Sequence, residues 1–137
     1  MDENALLLGI EALRADHNYY SAEVLRRKTS GDSSAMAAAG ADAKERAAVL
    51  LLIGTWDVIS NLLRGIKTRD KIFEVTPVCH MYRELLPAIE VIRQEAPGFA
   101  ESFSKLNDEY EVWLKKKKKD AKYISAMCGG LLYAKFG

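Results

Sequence analysis

The chain has 137 residues, 49% hydrophobic and 28% charged, the profile of an ordinary folded domain rather than of a disordered or bilayer-filling chain. Twenty basic residues against nineteen acidic ones leave a net charge of +1, which excludes wholesale attraction to nucleic acid. Two cysteines, Cys79 and Cys128, are too few for a disulfide framework, and a chain of this length can bury a core without one.

From Asp2 to about Thr29 there is no proline. Leu6, Ile10, Leu13, His17, Tyr20 and Val24 recur at spacings of three and four, which predicts one helix with one apolar stripe. Asp2 and Glu3 suit its positive end, and Arg26, Arg27 and Lys28 its negative end. Ser30-Gly31-Asp32-Ser33-Ser34, then alanines and Gly40, offer little to bury and predict a flexible connection over about residues 30–41, with room for a short alanine-rich turn of helix inside it. Such a connection would let the first helix dock on its own chain or exchange between subunits.

Asp42 opens the strongest periodic stretch. Val49, Leu52, Trp56, Ile59, Leu63 and Ile66 form one stripe, and Leu51, Val58 and Leu62 widen it, so this helix is expected at the centre of the fold. A turn at Thr68-Arg69-Asp70-Lys71 leads to a short helical piece ending at Val75. Thr76-Pro77 has the chemistry of a helix start, with Thr76 as cap and Pro77 as first helical residue. The helix that follows buries Val78, Met81, Tyr82, Leu85, Leu86, Ile89 and Ile92. Its internal Pro87 predicts a kink near Arg83. Ala96-Pro97-Gly98 ends it, and Phe99, Phe103, Leu106, Tyr110 and Trp113 mark a further helix with an aromatic stripe. No alternating run is long enough for a strand. The expectation is one all-α domain over residues 1–137, a bundle of four or five helices.

Charge divides the chain. Residues 1–114 carry 13 basic and 18 acidic side chains, a net of −5, whereas 115–137 carry 7 basic and 1 acidic, a net of +6. Lys115, Lys116, Lys117, Lys118 and Lys119 point all round a helix axis, so they project into solvent or meet an anionic surface such as lipid head groups. No arginine-aromatic surface accompanies them, so specific nucleic-acid binding is not expected. Beyond them Tyr123, Ile124, Met127, Leu131, Leu132, Tyr133 and Phe136 form an apolar segment interrupted by Gly129-Gly130. It is too short to span a bilayer and is expected to pack on protein.

Trp56-Asp57-Val58-Ile59-Ser60-Asn61-Leu62-Leu63-Arg64-Gly65, followed by Met81-Tyr82-Arg83-Glu84-Leu85-Leu86-Pro87-Ala88-Ile89, resembles an uncharacterised bacterial family of small helical domains. Members of that family often follow a membrane anchor. The resemblance spans about residues 49–113 and implies a helical fold without implying an activity.

Three sets of residues raise the question of chemistry. Asp57, flanked by Trp56 and Val58, needs a partner if buried, and Arg83 beside the proline is the candidate for a buried ion pair. His80 and Glu84, four residues apart beside Cys79, share a helix face as two metal ligands would. A di-metal bundle, however, needs Glu-x-x-His units, and the chain has none, so neither metal nor cofactor is expected. No Gly-x-Ser-x-Gly or phosphate-cradling loop is present. The reading is therefore a cytoplasmic, non-catalytic interaction module that forms a homodimer or binds another protein, a phage- or defence-related inhibitor being one form. The start Met1-Asp2-Glu3-Asn4, without the basic head of a signal peptide, underlies the cytoplasmic expectation. The alternatives are a peripheral membrane protein using the lysines, and a bundle enzyme using Asp57, His80 and Glu84.

Overall fold

In the computed structural model, which describes residues 2–29, 32–67 and 69–116, the chain is all-α, with seven helical segments and no strand among the described residues. They are α1 (Glu3–Ala15), α2 (His17–Arg27), α3 (Ser34–Ala37), α4 (Ala43–Leu63), α5 (Asp70–Val75), α6 (Val78–Arg93) and α7 (Glu101–Lys116). The all-α class is as expected; the larger number of segments comes from a divided first helix and two short turns of helix. One contiguous buried cluster draws residues from all seven.

The division falls at Asp16. Its backbone leaves the helical region (φ −59°, ψ 140°), and its carboxylate accepts from the N–H groups of Asn18 and Tyr19 at 2.9 and 3.3 Å. An aspartate satisfying the free donors of a first turn is an N-cap, so one periodic run becomes two helices. The break also resets the buried face. Leu6 and Ile10 are buried as expected, but in α2 Tyr19, Ala22, Glu23 and Arg26 turn inward while His17 and Tyr20 face solvent.

The expected flexible connection is corrected by burial. Among its described residues Ser33, Met36 and Ala37 are buried, and α3 packs between α4 and α6. The Ser33 hydroxyl donates to the carbonyl of Glu84 (2.8 Å) and accepts from the N–H of Ala88 (3.2 Å). These groups flank Pro87, which has no N–H to give the carbonyl of Arg83. A side chain therefore docks into α6 where the proline has already weakened its hydrogen-bond ladder.

The centre is α4, capped by Asp42, whose carboxylate accepts from the N–H groups of Lys44 and Glu45. Val49, Leu52, Ile53, Trp56, Ile59 and Leu63 are fully buried along it. Trp56 stacks on Phe103 of α7 (centroids 5.6 Å apart), and Phe103 meets Tyr82 of α6 edge to face at 5.1 Å. α6 starts at Val78 rather than Pro77, and the Thr76 hydroxyl makes no capping bond. In α7 the aromatic stripe is inward, with Phe103 and Tyr110 fully buried. Before it, Ala100 adopts φ 60°, a left-handed conformation held in a turn where Arg93 donates to the carbonyls of Phe99 and Ala100. Lys115 and Lys116 are exposed in the last turn of α7. Lys117, Lys118, Lys119 and the apolar segment after them lie outside the described residues.

Candidate interaction surface

The helix that fills the core also faces outward. On α4, Leu50, Leu51, Val58 and Leu62 are 38%, 41%, 50% and 42% exposed, with exposed Ala47, Gly54 and Asn61 among them. Leu51, Val58 and Leu62 succeed one another at spacings of seven and four, so they form one line along the helix. These residues were expected to widen the buried stripe. They lie instead on the side that α2, α6 and α7 leave uncovered, since those helices already surround the opposite arc. Between Ala47 and Leu62 the only charged residue is Asp57, and it is turned aside: its carboxylate accepts from the N–H of Phe103 at 3.0 Å. A charge-free stripe of exposed aliphatic side chains is unusual on a protein surface.

One edge of the stripe continues into a groove of about 230 Å³ between α2 and α4, lined by Ser21, Ala22, Leu25, Ala47, Ala48 and Leu51, with Asn18 and the charged Lys44 at its end. The other edge meets α7, where Ser102 donates to Asn61 (3.1 Å) and accepts from Arg64 (2.9 Å). By length and composition α4 is apolar enough to cross a membrane (mean hydropathy 1.4 over its best window), but 44% of that window is buried in the fold. The core and the outward stripe together account for this composition.

The residues singled out for chemistry are held in structural contacts. Asp57 closes the N-terminal turn of α7, and no ion pair among the described residues joins it to Arg83, which is exposed on α6. The buried ion pair exists elsewhere. Arg26 of α2 binds both carboxylate oxygens of Glu23, through Nε at 2.7 Å and a terminal nitrogen at 3.0 Å, and reaches Glu84 of α6 at 3.1 Å. Burial pulls the Arg26 guanidinium down most strongly, yet the bond to Glu23 and the charges of Glu23 and Glu84 together carry it above its ordinary value. Sequence periodicity misses this triad because Glu23 and Arg26 read as the polar face of one long helix. The phase reset at Asp16 is what turns them inward.

Glu84 therefore has an arginine partner, while His80 is buried in α6. Among the described residues no three His, Cys, Asp or Glu side chains gather as metal ligands would. A second hollow, about 560 Å³ and open, lies between α5 and the end of α7 over Phe73, Val112 and Trp113. Lys67, Arg69 and Lys116 on its rim are offset by Asp70, Asp108 and Glu109, and three of these charges are already engaged, Arg69 with Glu109 and Asp70 with the Trp113 indole N–H. Comparison with family models, curated proteins and solved structures gives no match to this chain.

Proposed function

We propose that this protein is a non-catalytic helical interaction module whose working surface is the outward face of α4. The observation that carries the reading is the line of Leu51, Val58 and Leu62, each at least two-fifths exposed, on a helix whose opposite face is buried in the core. Burying such a stripe against another protein is favourable by about 25 cal/mol per Å² of apolar area removed from water. Keeping it in water has no benefit to the fold. The contacts of Asp57 and Glu84 favour this reading over a bundle enzyme, because each carboxylate has a structural partner.

Affinity capture from the native organism tests it, with the wild-type chain and a Val58→Glu/Leu62→Glu double variant as paired baits. A protein held by wild type, whether another copy of this chain or a different one, and lost by the variant is the expected result. Identical retention by both baits overturns the reading.

A further inference from the structure

We infer that the occupant of the α4 face is a second copy of this chain, its α4 lying antiparallel to the first across a two-fold axis between Gly54 and Thr55. This rests on the proposed role of that face and adds the identity of the partner.

The pattern of the stripe is the first argument. A two-fold contact uses one patch twice, so the patch must complement its own inverted copy. Ala47 and Leu62 stand equally far from the midpoint between Gly54 and Thr55, and so do Leu51 and Val58. Inverting one helix on the other therefore seats Leu51 on the partner copy's valine position and Leu62 on its alanine position, a large side chain against a smaller one at every step. Along the stripe no like charges are brought together, because the outward residues between Ala47 and Leu62 carry none; Lys44 of the groove lies beyond its end. At the centre stands Gly54, where an added Cβ would meet nothing within 4 Å in the single chain. Within α4 a glycine is a cost to the helix, whereas at a crossing point it lets two backbones approach.

Area is the second argument. From Ala47 to Leu62 the stripe runs about 24 Å at 1.5 Å per residue, on a helix about 10 Å across. The neighbouring groove beside Ser21 and Leu25 widens the patch only along its Lys44–Leu51 part, giving a footprint on the order of 350 Å² per copy. Specific interfaces bury about 800 Å² of accessible surface per partner, and transient ones less. The patch thus suits a reversible dimer and is too small for a permanently assembled one.

Sedimentation velocity on the full chain, from about 5 to about 500 µM, is the test, since this range brackets micromolar association. Wild type is expected to move from the chain mass towards twice that mass as concentration rises. Gly54→Lys is the decisive variant: it occupies open space and replaces a poor helix former with a good one, so the melting temperature should hold or rise while the dimer is lost. Val58→Glu should also be monomeric with an unchanged melting curve, and it stands in should Gly54→Lys fail to fold. Under a mild oxidant Gly54→Cys should cross-link chain to chain above the level of wild type and of Val112→Cys, an exposed site on α7. A wild type that stays monomeric throughout overturns the inference, and so does a dimer that survives both variants. If instead the wild type is monomeric and sediments with vesicles of one part phosphatidylglycerol to four parts phosphatidylcholine, and Val58→Glu does not, lipid covers the face and the inference fails. A monomeric wild type that still captures a different protein through this face rejects the second copy alone; no capture at all rejects the interaction module with it.

Discussion

The indole N–H of Trp56 donates to the hydroxyl oxygen of Tyr19, 2.9 Å away, where α2 crosses α4 and both side chains are buried. This bond joins the largest core residue to a helix that the sequence places on a different phase. It also gives the indole nitrogen its partner in an apolar interior. Trp56→Ala should cost about 3–5 kcal/mol, the range for emptying a fully buried aromatic site. Tyr19→Phe keeps nearly all the volume but orphans the indole N–H, so about 1–3 kcal/mol is expected. Urea unfolding of both variants checks the order; a Tyr19→Phe variant as stable as wild type would show that the bond is dispensable.

Arg26 provides the next expectation. Its two carboxylate partners are on different helices, so removing it leaves Glu23, 5% exposed, with only the more distant Arg27 guanidinium at 3.7 Å and leaves Glu84 without its arginine. Arg26→Met should lower stability by about 3 kcal/mol, the low end of the cost of breaking a buried ion pair, because Arg27 still offers Glu23 a cation. Because the folded-state value of this arginine lies above its ordinary one, its contribution is complete below the ordinary value and is lost only as pH rises through the higher one. The difference between wild type and Arg26→Met traceable to the guanidinium should therefore stay flat between neutral pH and about pH 10. Thermal melts of the two proteins across that interval measure it, and a difference that shrinks steadily towards pH 10 would contradict the assignment.

Ser33 marks where sequence reasoning stops. Val49, Leu52, Trp56, Phe103 and Tyr110 are legible as core because their helices keep one phase from end to end. A serine among glycine, alanine and aspartate looks like linker, since small polar residues carry no periodic signal. Its burial follows from Pro87, more than fifty residues away, whose effect on α6 creates a place for a hydroxyl that both donates and accepts. The outward stripe was half legible for a related reason. Composition shows too much apolar surface on α4, but only the arrangement of neighbouring helices decides which part stays uncovered. Ser33→Ala should cost about 1–3 kcal/mol by removing a buried hydrogen-bonding bridge. Amide exchange at Ala88 should quicken in that variant by more than at Phe103, whose N–H is held by Asp57 instead. Equal change at both amides would mean that Ser33 acts on global stability alone.

Asp57 distinguishes a cap from an ion pair. Its carboxylate oxygen lies 3.0 Å from the Phe103 nitrogen, in the first turn of α7, where free N–H groups and the positive end of the helix both favour an anion. The residue thereby performs for α7 what Asp16 and Asp42 perform for α2 and α4, except that it reaches the turn from another helix. Asp57→Ala should cost about 0.5–2 kcal/mol, as loss of a capping side chain does. Asp57→Asn keeps an oxygen acceptor and loses only the charge, so its cost should be smaller, about 0.3–1 kcal/mol. In a double-mutant cycle with Arg83→Gln the coupling should fall within about 0.5 kcal/mol of zero, because sites without a shared contact act independently. A cycle on Asp57 and the helix start, using Ser102→Ala, should by contrast show coupling, since Ser102 precedes the capped amide and links α7 to Asn61 and Arg64. Measured coupling to Arg83 of more than about 1 kcal/mol would restore the ion pair and displace the cap as the role of Asp57.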